Sequence, residues 1–88
     1  TLWVDVLTTG LSGDITGIHI HEADAGENGD VIVNLSAGIL GNRVQGMVTG
    51  ADLTDDIVNA LLRGGSYLNV HTEDNPGGEI RGQVYRLY

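Results

Sequence analysis

Residues 2–8, 16–22, 30–36, 43–49, 66–72 and 79–88 each alternate apolar with polar side chains, and each stretch is fenced by glycine or by Asn/Asp turn residues. A period of two belongs to a strand with one buried face, and turns at this spacing predict antiparallel pairing. The expectation is an all-β fold, a Greek-key-like antiparallel sandwich or barrel. Residues 52–65 break the period: Leu53, Ile57, Ala60 and Leu61 fall at helical spacing, Asp52 or Thr54 can cap the first turn, Arg63 lies in the last, and Gly64 follows. One short helix therefore crosses between strands. A chain of 88 residues makes one domain, 1–88, with a single modest core.

Alternation also assigns faces. In residues 16–22, Ile18 and Ile20 point one way and His19 and His21 the other; in residues 66–72, Leu68 and Val70 oppose Tyr67, Asn69 and His71. All three histidines of the chain thus lie on the face turned away from the core. Side chains two apart on a strand project about 7 Å apart, a gap that two imidazoles close around one ion. A third imidazole from a neighbouring strand completes a three-nitrogen site, and imidazole-only ligation suits copper or zinc, with copper favoured by intrinsic affinity. His19, His21 and His71 are the expected copper ligands. The competing reading is three solvated histidines on a polar face.

Acids follow each histidine motif. Asp24, Glu27, Asn28 and Asp30 in one segment, and Glu73, Asp74, Asn75 and Glu79 in the other, offer hard oxygens of the kind calcium takes. The spacing is not that of an EF-hand, and the same residue types build ordinary solvated turns. Twelve acids against four bases give a formal charge of −8, which repels nucleic acid and anionic membranes and attracts cations. With no cysteine there is no disulfide and no thiol chemistry, and with no lysine there is no Schiff base. No apolar run is long enough for membrane insertion. Neither a phosphate loop nor a nucleophile elbow is legible, and a domain of this size leaves little room for a sugar cleft. The chain opens at Thr1 on a strand already under way, which reads as a segment of something longer.

The run GIHIHEADAGENGDVIVNLSAG, followed by GSYLNVHTEDNPGGEIRGQV, resembles the CHRD (chordin-type) domain, a module also found in bacterial extracellular proteins. The likeness covers residue 2 to about Val84. It implies a secreted or cell-surface β domain used for binding or assembly, without an established catalytic role. It also implies that strands usually preceding LWVDVLTTGLSG lie outside residues 1–88. A partial likeness, confined to GIHIHE and VHTED, is to copper/zinc superoxide dismutase, where the matching histidines bind copper. That pattern needs a bridging histidine, further zinc ligands and usually a disulfide, for which this chain has no residues left.

Taken together these features describe an Ig-like or dismutase-like sandwich acting as an extracellular metal-binding structural module, not an enzyme. Its expected setting is a surface or biofilm-matrix polymer. A copper-dependent redox enzyme and a protein-binding module of a secreted protein are the alternatives. Leu2, Val4 and Val6 face one way and Trp3 and Leu7 the other; Ile80 and Val84 likewise oppose Tyr85 and Leu87. Terminal strands that are apolar on both faces predict self-association through strand pairing between copies, with filaments as the product.

Overall fold

In a computed structural model, which describes residues 1–85, two antiparallel sheets pack face to face as an open sandwich and not as a closed barrel. The strands are β1 (Leu2–Leu7), β2 (Ile15–Glu22), β3 (Asp30–Asn34), β4 (Ile39–Leu40), β5 (Arg43–Val48), β6 (Ser66–Thr72) and β7 (Ile80–Val84). One sheet has the order β1-β5-β4 and the other β3-β2-β6-β7. The helix α1 (Asp55–Leu62) carries the chain from β5 in the first sheet to β6 in the second.

Ile15, Ile18, Ile20, Val33, Leu35, Val44, Val48 and Val70 form the core, with Leu2, Val4, Val6, Ile57 and Leu61 packed around it. Of the two candidate helix caps, Thr54 holds the position: its Oγ1 accepts the Ile57 N–H at 3.3 Å. Asp52 instead closes a preceding 3-10 turn, Gly50–Asp52. Arg63, expected at the helix end, turns its guanidinium to Glu22 at 2.8 Å.

Only the stretch 66–72 keeps both of its expected ends; β1 and β5 each stop one residue early, and three other differences are larger or change the register. β2 starts at Ile15, and its pairing with β6 shifts between Ile15 and Gly17, so Thr16 is an extra residue. This bulge resets the alternation, which is how Ile15 and Ile18, three apart, both reach the core. The stretch 30–36 stops at Asn34, because Ser36–Gly38 forms a 3-10 turn that leads into β4, a two-residue strand with no legible alternation. The stretch 79–88 becomes a strand at Ile80, and residues 86–88, including Leu87, lie outside the described part. A second bulge, at Ile32 where β3 meets β2, lies beside the histidine pair.

Candidate metal centre

The outer face of β2 and β6 is not a row of solvated side chains. Register places His19 opposite Asn69, His21 opposite Tyr67, and His71 opposite Gly17, so His71 is the diagonal neighbour of His19. The three imidazoles converge, with one donor nitrogen from each lying within 4.8 Å of the other two. His19 Nδ1 and His71 Nε2 are 3.1 Å apart. An ion bonded at about 2.0–2.1 Å to each nitrogen holds tetrahedral neighbours about 3.3 Å apart, and no two donors farther than about 4 Å. The observed spread of up to 4.8 Å exceeds that span by about 1 Å.

Backbone carbonyls settle the tautomers. His21 Nδ1 lies 2.9 Å from the Gly29 carbonyl oxygen, and His71 Nδ1 lies 2.9 Å from that of Pro76. A carbonyl only accepts, so both rings carry their proton on Nδ1 and present a bare Nε2. His71 Nε2 accordingly accepts from His19 Nδ1–H, which leaves the His19 Nε2 bare. His21 Nε2 is buried without a hydrogen-bond partner. This outer-shell arrangement is the one that orients metal-binding histidines generally. Desolvation lowers the His19 pKa, as do the charges that His71 and His21 would carry, which keeps the ring in the neutral form that binds cations.

Each anchor comes from the loop that follows its histidine. Gly29 passes so close to β2 that a Cβ there would stand 1.8 Å from the Glu22 carbonyl oxygen, so only glycine lets the chain return at this distance. The second loop is braced by Glu79. Its carboxylate accepts from Ser12 N at 2.8 Å, from Thr72 Oγ1 at 2.8 Å, from Asn75 Nδ2 at 3.1 Å and from Ser12 Oγ. The Ser12 bonds, ahead of those from Thr72 and Asn75, pull the Glu79 pKa down to about 2.

The acidic residues meet a different fate from the histidines. Asp24, Glu27, Asn28, Asp30, Glu73 and Asp74 are exposed, and among the described residues only the histidines gather into a group of three or more ligating side chains. Of the oxygens expected for calcium, the Asn28 Oδ1 accepts from Arg81 at 3.0 Å; the same guanidinium reaches the Glu27 main-chain carbonyl at 2.8 Å and leaves the Glu27 carboxylate exposed. Asn75 and Glu79 satisfy each other and Ser12. Alternation placed Tyr67 on the histidine face but gave no sign that it is only 3% exposed. It stacks on His21 at 4.8 Å between centroids and 4° between planes, under the Arg81 guanidinium 3.6 Å from its ring centre. The forced glycine at position 29 was the available sign of a close backbone approach.

The CHRD domain model matches residues 1–84. The chain is 33% identical to Chordin of Danio rerio over 91 residues, covering 96% of the chain and 10% of that protein. It is 35% identical to Chordin of Xenopus laevis over 71 residues, covering 76% of the chain and 7% of that protein. The chain thus spans a tenth or less of the length of these curated relatives. No solved structure matches it. The likeness to copper/zinc superoxide dismutase gains no support from these comparisons. The match over 1–84, carrying both histidine motifs, their glycine loops and all the strands between them, shows that the chain belongs to the CHRD domain family.

Proposed function

We propose that this chain is an extracellular CHRD module that binds, without catalysis, one copper ion on His19, His21 and His71. The observation that carries the reading is His21: its Nδ1 is committed to Gly29 and its Nε2 is buried and unpartnered, on a ring that converges with those of His19 and His71. A buried polar atom without a partner is costly, and an ion supplies the missing one. Nitrogen-only donors and the intrinsic affinity order favour copper over other divalent ions. The extracellular placement rests on family membership, and no helix among the described residues is long and apolar enough to cross a membrane. Membership of the CHRD family keeps a protein-binding module as the alternative to a purely structural one.

Copper titration followed by spectroscopy tests the site. One ion should bind per chain, His21→Ala should abolish stoichiometric binding, and affinity should fade below about pH 6 as imidazoles protonate. Equal binding by the parent and by a variant with all three histidines replaced by Ala overturns the assignment. Superoxide turnover by the loaded protein above that of chelated copper would favour the redox-enzyme alternative. A calcium-induced rise in melting temperature beyond that of sodium at equal ionic strength would support the acidic loops as ligands.

A second reading, pairing between copies, is favoured by the edge position of β1 and β7 in their sheets. A groove of about 510 Å³ runs between them, lined by Val6, Leu68, Val70, Ile80 and Val84. A strand of a second copy fits such a slot through backbone pairing and apolar burial. Filaments weakened by Trp3→Asp support this; a monodisperse monomer with β1 protected from hydrogen exchange rules it out.

A further inference from the structure

Arg81 behaves unlike the other arginines of the described region. Arg43 pairs with Asp5 and Arg63 with Glu22, each at 2.8 Å. Arg81, in a chain with twelve acidic residues, makes no ion pair among the described residues and binds a side-chain amide oxygen and a backbone carbonyl instead. Its partners, Asn28 and Glu27, immediately precede Gly29, the residue whose carbonyl orients His21. Its guanidinium also covers Tyr67, whose ring stacks on His21 and whose hydroxyl accepts the Gly29 N–H at 3.3 Å. Two separate routes therefore run from one side chain on β7 to one imidazole on β2. One passes through the loop backbone and the other through the aromatic stack.

We infer that Arg81 is a positioning residue of the metal centre, holding His21 in its ligating tautomer and orientation by fixing both Gly29 and Tyr67. The inference rests on the copper reading above. A planar fork on an aromatic face reaches two acceptors and the ring together, whereas a lysine ammonium is a point charge that cannot. Electrostatics alone argues the other way: a positive charge near the site repels a cation, so its removal would strengthen metal binding. The sign of the effect therefore separates positioning from charge.

The test uses the whole chain with Arg81→Met, Arg81→Lys and, as a control on the other sheet, Arg43→Met. Nitrogen-15 spectra of the metal-free protein read the His21 tautomer, and copper(II) titration with electron paramagnetic resonance reads affinity and ligand field. Both Arg81 variants should show a mixed His21 tautomer, an altered copper spectrum and a Kd raised about 10–100-fold, the usual cost of losing an outer-shell partner. The control should match the parent. An unchanged His21 tautomer with equal or tighter copper binding in Arg81→Met overturns the inference, as does full retention of both properties by Arg81→Lys. If the parent and the variant lacking all three histidines take up copper alike, the site assignment fails by itself, and the tautomer measurement still decides the role of Arg81.

Discussion

On β2 and β6, Ile18, Ile20 and Val70 face the sandwich interior, while His19, His21 and His71, one position away in each case, face outward. The inner set is held by dispersion and water exclusion, which reward close filling of the available volume and need no directional partner. The outer set is held by directional bonds to Gly29 and Pro76 and by the stack of His21, Tyr67 and Arg81. Both faces are ordered, by different means. The contrast teaches that burial alone does not separate structure from function on this sheet: Tyr67, at 3% exposed, is as hidden as Val70 at 2%, yet its neighbours are polar and oriented.

Four measurements of stability would break or sharpen that contrast. Ile18, fully buried, should carry the largest effect: Ile18→Ala removes core volume and should lower unfolding free energy in urea by about 2–5 kcal/mol. The outer donors should still bind copper in the fraction that remains folded. Gly29→Ala comes next. The added Cβ meets the Glu22 backbone, an overpacking worth about 1–3 kcal/mol, and copper affinity should fall with it. Unchanged urea and copper midpoints would show that the Gly29 approach does not govern His21.

Acidity should affect the outer face and its loop and leave the core contacts alone, because the inner residues do not titrate. His19 has a folded pKa below its unfolded value near 6.5, so its share of stability is intact above pH 6.5 and is lost as pH falls through the folded value. Glu79, lowered from 4.5 to about 2, should add a separate loss between those limits. His19→Ala should remove the first window and Glu79→Gln the second in urea midpoints measured against pH. A single window shared by both variants would refute the separation. The smallest effect is expected at Trp3, which is 75% exposed on the opposite sheet: Trp3→Asp should change monomer stability by less than about 0.5 kcal/mol.

Much of this was legible in the sequence because alternation is a local property. Parity alone placed Ile18, Ile20 and Val70 inside and turned the three histidines to the other face, and helical spacing with Asp52 or Thr54 as cap located α1. The bulges at Thr16 and Ile32 were not legible, since an extra residue shows itself only in the register of a partner strand. The same holds for Arg81, whose bonds reach 53 and 54 positions back to Asn28 and Glu27. Composition reports donor chemistry and not which donors a neighbour already uses: the Asn28 side-chain oxygen is taken by the Arg81 guanidinium, while the Glu27 carboxylate is not.

Both histidine anchors are main-chain carbonyls, Gly29 and Pro76, and not side chains. An anchor of that kind survives exchange of most loop residues, because every amino acid carries the same acceptor. It does not survive a change in loop length, which moves the carbonyl even when every ligand is kept. The centre should therefore be tolerant of substitution between Ala23 and Asn28 wherever Arg81 keeps its two acceptors, Gly26 with its φ of 85° excepted, and fragile to insertion or deletion of one residue there. A library of single-residue indels and substitutions across this loop, sorted by copper retention, would expose that asymmetry directly.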